Sequence, residues 1–337
     1  MPTVKEPARA RAMQEQANQT SLSIASVTGL FEKLRGGLNS VVVGQEMVVD
    51  QVLVGLLADG HILLEGVPGT AKTLLVKTLA KLIGTQFNRI QLTPDMLPSD
   101  ILGTSIYDLT TKTFALKKGP IFTSLLLADE INRTTPKTQS ALLEAMEERQ
   151  VSLEGKTEAL PELFMVVATQ NPIEFEGTYP LPEAQVDRFM LKICIDYPNQ
   201  EAEKQMLRNW QSGSYNRHSP AAEPIATAEE VVEARKKLED FKVEDSIIDY
   251  LSNLVQKSRN LSDLQLGASP RAALAWLGAA KAHAAIEGKD FVTPDNIKFV
   301  AEPVLRHRLI LTPEAELDGV TVNQVIANLL RQVPVPR

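Results

Sequence analysis

The sequence predicts an α/β fold, in which a parallel sheet lies between two layers of helices and is followed by a smaller all-helical domain. Three observations support this prediction. Continuous apolar runs such as HILLEG and SLLLADE alternate with segments of helical periodicity, as parallel strands buried on both faces do. From residue 228 onwards the periodicity is helical throughout. The length of 337 residues favours two domains over one.

The N-terminal part of the chain predicts an arm and then a helix. Residues 1–20 are polar and show no periodic pattern, which predicts a flexible arm. The α/β domain is predicted over 21–197. Its first helix is predicted at 21–38, where apolar residues recur at helical spacing until Gly36 and Gly37 end the helix.

The sheet and its helices are predicted in the next segment. A second helix is expected at 45–58, a third at 72–83, and a fourth in PKTQSALLEAMEER, where Pro136 favours the first turn. The predicted strands are HILLEG, FNRIQL, SLLLADE, ELFMVVATQNP and RFMLKICID. Two insertions, TSIYDLTTKTFALKKG and QVSLEGKTEAL, each predict a β-hairpin around a polar turn. A polar linker is expected over 198–227, and a helical domain over 228–337.

Composition and charge exclude several classes of protein. The formal net charge is -7 and the sequence pI is near 5.3, so we do not expect bulk nucleic-acid binding. The single cysteine, Cys194, lies in an apolar run and predicts a buried, inert thiol. No apolar run has the length of a membrane span, and the N-terminus lacks the apolar core of a secretory signal. These features predict a cytoplasmic protein.

The stretch GVPGTAKT, residues 66–73, follows a predicted strand and precedes a predicted helix, which is the position of a phosphate-binding loop. Lys72 would neutralise phosphate oxygens, and the Thr73 hydroxyl would hold Mg²⁺. Gly66 and Gly69 stand where a side chain would block the turn or the phosphate. Ala71 replaces the usual glycine, which we expect to be tolerated if its φ is negative. The alternative is a glycine-rich turn with an unrelated lysine.

Polar groups follow two further strands. LLLADEINR ends in Asp129 and Glu130, at the sheet edge where open α/β folds bind ligands. We expect Asp129 to lie in the Mg²⁺ shell and Glu130 to polarise the attacking water. Asn171 follows the strand in VVATQNP and could orient that water. The alternatives are an acidic turn and an ordinary loop start.

Two arginines complete the candidate chemistry. Arg188 in QVDRF precedes a strand, and its planar guanidinium suits a transferring phosphoryl group. The alternative is an ion pair with Asp187 or Glu183. Arg271 in SPRA begins a helix, where a cation opposes the helix dipole, and this favours an anion nearby. A solvated arginine is the alternative.

The ordered set VVGQE, GVPGTAKT, LLLADEINR, ATQNP, LPEAQVDRF and SPRA resembles the MoxR family of AAA+ ATPases, over almost the whole chain after about residue 20. The resemblance implies an AAA+ P-loop core of three αβα layers with β-hairpin insertions, typical of the helix-2-insert clade, followed by an all-α lid domain. It implies a Walker B pair at Asp129 and Glu130 and a sensor-1 Asn171. It also implies an arginine finger at Arg188, supplied to the neighbouring subunit, and a sensor-2 Arg271.

The resemblance also implies the nucleotide contacts. Gly44 and Gln45 resemble the segment that lies against adenine, and Arg133 is a candidate interface arginine. The implied Walker A contacts are Gly66, Val67, Pro68, Gly69, Thr70, Ala71, Lys72, Thr73 and Leu74.

We therefore expect a Mg²⁺-dependent ATP hydrolase that assembles into a homo-oligomer, with a hexameric ring as the expected form. The resemblance implies chaperone-like remodelling of protein clients or metal-cofactor insertion, with a von Willebrand factor A domain protein as a partner. The alternatives are a helicase-like nucleic-acid motor, for which Lys112, Lys117 and Lys118 are the local basic feature, and a scaffold that binds nucleotide without turnover. The acidic pI favours chaperone-like remodelling over the nucleic-acid motor.

Overall fold

The structure is a computed structural model that describes residues 24–108, 113–153, 155–171, 178–212 and 223–336. The predicted N-terminal arm and Lys112 lie outside these ranges.

The helices and strands follow each other in the predicted α/β order. The strands are β1 (Ile62–Gly66), β2 (Phe87–Gln91), β3 (Gly103–Asp108), β4 (Thr113–Lys118), β5 (Leu125–Asp129), β6 (Gln150–Leu153), β7 (Lys156–Ala159), β8 (Met165–Gln170), β9 (Leu191–Ile195), β10 (Leu264–Leu266) and β11 (Ile310–Leu311). The helices are α1 (24–39), α2 (Glu46–Leu57), α3 (Lys72–Leu82), α4 (Pro98–Leu102), α5 (Pro136–Glu148), α6 (Glu183–Val186), α7 (Gln200–Gln211), α8 (Ala228–Glu239), α9 (Asp245–Ser258), α10 (Pro270–Ile286), α11 (Pro294–Leu305), α12 (Pro313–Leu317) and α13 (Val322–Gln332).

Five strands form one parallel sheet in the order β2-β5-β8-β1-β9. All five residues of β5 are buried, as expected for a strand covered on both faces. Apolar side chains form one cluster beneath α1, α2 and α3, and a second beneath α5. The prediction of a sheet between two helical layers is confirmed. Because the strands are parallel, their carboxyl ends share one edge, where the polar candidates meet.

Both predicted hairpins are present. Strands β3 and β4 pair antiparallel, and so do β6 and β7. The helices α8 to α13 form the helical domain, to which the short β10–β11 pair adds an antiparallel ladder that the sequence pattern did not predict. In this domain α10 packs against α2, and α11 packs against β9. None of the helices in the described ranges has the length and hydropathy to cross a membrane.

Three local predictions differ from the structure. Helix α1 continues past Gly36 and Gly37. The glycine at position 37 allows close packing against α3, since a Cβ there would lie 2.8 Å from the Leu82 side chain. Helix α7 occupies 200–211 of the segment predicted as a linker; the Asn199 side chain caps it by accepting from the N–H of Ala202 at 2.9 Å. The thiol of Cys194 is exposed, since its strand lies at the sheet edge.

Candidate functional site

The predicted phosphate loop connects β1 to the first turn of α3. Packing requires glycine at position 66, because a Cβ there would lie 2.4 Å from the carbonyl oxygen of Ile195. Gly69 has φ +90, a conformation that glycine adopts without strain.

Ala71 corrects the sequence-based expectation. Its φ is 63° and its ψ is 18°, in the left-handed region, whereas we expected a negative φ. A residue with a Cβ is strained there by roughly 1–2 kcal/mol. The loop therefore carries the alanine at a conformational cost, in a position where glycine would have none.

The Lys72 ammonium is folded back onto the loop, where it donates a hydrogen bond to the carbonyl oxygen of Gly66. Partial burial lowers the pKa of Lys72, and the nearby carboxylates of Asp129, Glu130 and Glu65 oppose that shift. A cation held among three carboxylates, at a helix N-terminus, is suited to receive an anionic ligand.

The Asp129 carboxylate, which ends β5, is buried and held from two sides. Arg89 Nε lies 2.6 Å from its Oδ2, and the Thr169 hydroxyl donates to its Oδ1 at 3.1 Å. Asp129 is paired across the strands with Gln91, which places Arg89 on the same face of β2. Neither Arg89 nor Thr169 was among the predicted site residues.

Glu130 leaves the strand with φ 59°, also in the left-handed region. Its N–H donates to the Thr169 hydroxyl at 2.9 Å, and its Oε2 accepts from the Gln91 amide at 2.6 Å. Arg133 Nε lies 3.3 Å from the same oxygen, so this arginine pairs within its own chain. The Glu130 carboxylate is thus restrained by an amide donor that the sequence analysis did not identify.

These groups surround a cavity of about 610 Å³, which we call the nucleotide cavity. It brings together most of the predicted site: Gly66, Pro68, Gly69, Thr70, Ala71, Lys72, Thr73, Leu74, Asp129, Glu130 and Asn171. The residues that sequence analysis missed are Lys77, Arg89, Gln91, Thr169 and Met206. Among the described residues the helical domain contributes none to this lining, and α7 contributes Met206.

Three predicted nucleotide contacts lie outside this lining: Gly44, Gln45 and Val67. Gly44 packs against α7, since a Cβ on it would lie 2.3 Å from the Cβ of Ala202, and the Gln45 amide donates to Asp196 O at 2.8 Å. Gly44 and Gln45 therefore support the segment that precedes Met206. The contact of Gly44 and Gln45 with adenine stays a prediction.

Arg188 and Arg271 line a different cavity, of about 410 Å³, which we call the arginine cavity. Arg188 Nε is 3.0 Å from Glu147 Oε2, and Arg271 Nη2 is 3.0 Å from Glu147 Oε1. One carboxylate on α5 therefore holds both arginines. Arg188 does form an ion pair, but with Glu147 rather than with Asp187 or Glu183, because the chain at the end of α6 turns back over α5. We call Arg188, Arg271 and Glu147 the arginine surface.

The two cavities have no lining residue in common among the described residues. The nucleotide cavity contains the loop and the carboxylates, and the arginine surface contains the guanidinium groups. A site that needs the phosphate loop, the carboxylates and these arginines together cannot be formed by the residues of either cavity alone.

The metal expectation is tested by the donor set. The described part of the chain contains no cluster of three or more histidine, cysteine, aspartate or glutamate side chains that could hold a metal ion. Thr73 and Asp129 both line the nucleotide cavity and offer hard oxygen donors. Because Mg²⁺ usually binds through one or two protein ligands together with phosphates, this set fits Mg²⁺ that is bound with a nucleotide.

Comparison with known proteins supports this interpretation. Residues 61–191 match the ATPase family associated with various cellular activities (AAA), and residues 256–329 match the AAA lid domain. The chain is 44% identical to the chaperone MoxR1 of Mycobacterium tuberculosis over 93% of this chain and 84% of that protein. The chain belongs to the MoxR family of AAA ATPases.

Two other similarities extend over the same length. This MoxR-family chain is 46% identical to the YeaC protein of Bacillus subtilis, over 89% of this chain and 92% of YeaC. A crystal structure from Cytophaga hutchinsonii, described as a candidate ATPase, has a TM-score of 0.87 and 42% identity, and the match covers 96% and 99% of the two chains. The chain is thus an ATPase of this family, with an AAA domain and a lid.

Proposed function

We propose that this MoxR-family ATPase hydrolyses Mg-ATP at sites shared between copies of the chain and uses the resulting motion to remodel protein complexes or to assist metal-cofactor insertion. The proposal of a shared site rests on one observation: the nucleotide cavity and the arginine surface are separate within one chain. A homo-oligomer in which one surface meets the next, with a hexameric ring as the expected form, unites the two.

Within one copy, the nucleotide cavity binds and prepares the substrate. Lys72 and the loop N–H groups would hold the phosphates, and Thr73 and Asp129 would hold Mg²⁺, which would neutralise charge on the phosphate oxygens. Glu130 activates water, and Asn171 orients it. Gln91 and Arg133 both engage Oε2 of the Glu130 carboxylate, which leaves Oε1 as the oxygen that would accept the proton from water.

The neighbouring copy completes the site. Arg188 would donate to the transferring phosphoryl group, as arginine fingers do, and Arg271 would act from the same neighbour. Their common attachment to Glu147 supports this assignment, because it keeps both guanidinium groups on one surface. In a copy without a neighbour, Glu147 provides the negative charge that phosphate would provide in the assembly.

The output is proposed to be mechanical work on protein clients. The relative named chaperone MoxR1 supports a chaperone role, and a von Willebrand factor A domain protein is the proposed partner. The proposed compartment is the cytoplasm. Nothing favours the helicase alternative: of its lysines, Lys118 pairs with Glu158 at 3.3 Å and lies over the Phe122 ring at 4.8 Å.

The test uses Glu130→Gln, which should bind ATP without hydrolysing it, and Lys72→Ala as the matched control that should not bind ATP. Purified client candidates are incubated with each variant and separated by size-exclusion chromatography. We expect an ATP-dependent complex with Glu130→Gln only. Equal client retention by both variants would contradict ATP-controlled client binding. Stimulation of the wild-type ATPase by DNA at physiological salt would instead support the nucleic-acid motor.

A further inference from the structure

The segment that carries Arg188 is fixed by two side chains of the helical domain. Residues 187–190 directly precede strand β9. His307 and Arg308 follow α11 directly and reach across to this segment. The contact joins the two domains at the position of the proposed finger.

The Arg308 guanidinium donates hydrogen bonds to this segment and to the end of α11. Its side chain is only 3% exposed. Nε donates to the Asp187 carboxylate at 2.5 Å, and Nη2 donates to the carbonyl oxygens of Asp187 at 3.1 Å and Phe189 at 2.7 Å. Nη1 donates to Met190 O at 2.9 Å and to Val304 O at 2.6 Å.

These hydrogen bonds hold the backbone on both sides of Arg188. The carbonyl groups of its two neighbours, Asp187 and Phe189, both accept from the same guanidinium nitrogen. His307, which is half-buried, adds a further bond from Nε2 to Phe189 O at 2.9 Å. Burial holds the pKa of His307 well below its ordinary value, so its ring is neutral and Nε2 carries the donated proton.

We propose that Arg308 is a positioning residue for the arginine finger: it fixes the backbone on both sides of Arg188 and so sets where that guanidinium enters the neighbouring copy's nucleotide site. The proposal rests on the proposed shared site and adds a residue that acts through Arg188. Arg308 itself contacts neither the nucleotide cavity nor, by our assignment, the substrate.

The arrangement requires an arginine. A guanidinium presents five N–H donors in a rigid plane, and here one group bridges one carboxylate and four carbonyl oxygens. A lysine ammonium would keep the charge and its pairing with Asp187, but its three donors radiate from one atom and cannot span the same acceptors. Arg308→Lys therefore loosens the finger while it preserves the buried ion pair.

The same contact links the helical domain of one copy to the catalysis of the next. Because Arg308 belongs to the helical domain, a displacement of that domain relative to β9 would move the segment 187–190 with it. The neighbour's hydrolysis rate would then depend on the position of this domain. No lining residue of the chain's own nucleotide cavity takes part, within the described ranges.

The experiment assigns Arg308 to one half of the shared site by mixing variants. Arg308→Lys is prepared beside Arg188→Ala, which lacks a finger, and Lys72→Ala, which lacks a working nucleotide cavity. Thermal unfolding and sedimentation confirm folding and assembly of each. Alone, Arg308→Lys should lose about 10²-fold in ATPase rate, as a displaced catalytic group does, and bind a fluorescent ATP analogue with unchanged affinity.

In mixtures, Lys72→Ala should restore activity to Arg308→Lys by supplying intact fingers, and Arg188→Ala should not. Rescue by Arg188→Ala instead, or rescue by neither while the Arg188→Ala and Lys72→Ala control pair recovers activity, would overturn the proposal. Unchanged activity of Arg308→Lys alone would also overturn it. Failure of the control pair contradicts the shared site itself, and the inference falls with it.

Arg235→Lys is the matched structural control. Arg235 is also a largely buried arginine of the helical domain that bonds to the α/β domain, but its partners are Leu56 O and Asp59. The same substitution there should lower thermal stability and leave the ATPase rate per folded protein within two-fold, roughly, of wild type. Equal losses of activity for Arg235→Lys and Arg308→Lys would make Arg308 a general structural contact and overturn its positioning role. Asp187→Asn should reproduce the Arg308→Lys mixing pattern with a smaller loss.

Discussion

The nucleotide cavity and the arginine surface share one physical feature and differ in another. The non-glycine residues with positive φ in the described ranges are Asp59, Ala71, Glu130 and Arg149; two of them line the nucleotide cavity and two line the arginine cavity. Backbone strain of this kind costs about 1–3 kcal/mol per residue and is retained where it positions functional groups.

The difference lies in what each region lacks. The nucleotide cavity provides a phosphate loop and two carboxylates at the carboxyl edge of the sheet, and its described lining contains no arginine other than Arg89, which is bound to Asp129. The arginine surface provides Arg188 and Arg271 and lacks a phosphate loop. Each region provides the groups that the other lacks, and this difference supports the proposal that the functional unit is an interface between two copies.

The largest expected effect is on the arginine surface. Arg188→Ala should lower the ATPase rate of the assembled protein by about 10³–10⁵-fold, because an arginine finger stabilises charge only in the transition state. The ATP affinity, measured by fluorescence titration, should stay close to that of wild type. A loss of affinity equal to the loss of rate would place Arg188 in ground-state binding instead.

Arg271→Ala should have a smaller effect in the same direction. A lost hydrogen bond to a charged group is worth roughly 1.5–3 kcal/mol, which corresponds to about a 10- to 10²-fold lower rate. Steady-state kinetics on Arg271→Ala mixed with Lys72→Ala shows whether Arg271 acts on the neighbouring copy's site or on the site of its own chain. Recovery in the mixture supports action on the neighbouring site, and lack of recovery assigns Arg271 to its own chain.

Acid should destabilise the folded protein through His61, a buried histidine beside the arginine surface. His61 lines the arginine cavity, donates from Nε2 to Met146 O at 3.1 Å and accepts from the Val166 N–H at 3.0 Å. Burial lowers its pKa from 6.5 to about 3, so the folded protein binds fewer protons than the unfolded chain between these values. Stability is therefore lost as the pH falls below 6.5.

The size of this effect is about 2 kcal/mol of unfolding free energy at pH 5 for one such histidine. Urea denaturation of wild type and His61→Gln between pH 7.5 and pH 5 measures it. The glutamine variant, which can still donate and accept, should show a shallower loss on acidification. Identical pH profiles would mean that His61 makes no contribution.

How much the sequence predicts depends on the range of the contacts. Asp129, Glu130 and the loop meet at one edge of the sheet, because parallel strands end at the same edge and only β8 lies between β5 and β1. Arg89 and Gln91 escaped prediction, although they alternate along β2, because their partners depend on the register of β2 against β5. Local spacing carries no information on such register.

Other features depend on tertiary packing alone. Glu147 lies within a regular helix and gives no sequence signal for its two arginine partners. Arg308 is the second arginine of RHR, residues 306–308, where nothing in the local sequence distinguishes it from Arg306, and its burial among carbonyl groups follows from how α11 packs on β9. The conformation of Ala71 was predicted wrongly, because the motif specifies residue type and not the sign of φ.

The smallest expected effect concerns the nucleotide cavity. Ala71→Gly removes a Cβ from a position with φ 63° and should stabilise the nucleotide-free protein by about 1 kcal/mol, offset in part by the greater freedom of glycine in the unfolded chain. Thermal unfolding measures this change. The ATPase rate should change little, since the loop keeps its shape. Destabilisation would show that Ala71 is not strained.

The shared site is tested most directly by mixing purified Arg188→Ala and Lys72→Ala in equal amounts and measuring ATP hydrolysis. Neither variant should turn over ATP appreciably alone. In the mixture, intact nucleotide cavities of the first meet intact arginines of the second, and activity should return well above that of either variant. A mixed assembly, confirmed by sedimentation, that stays inactive would contradict a site built from two copies.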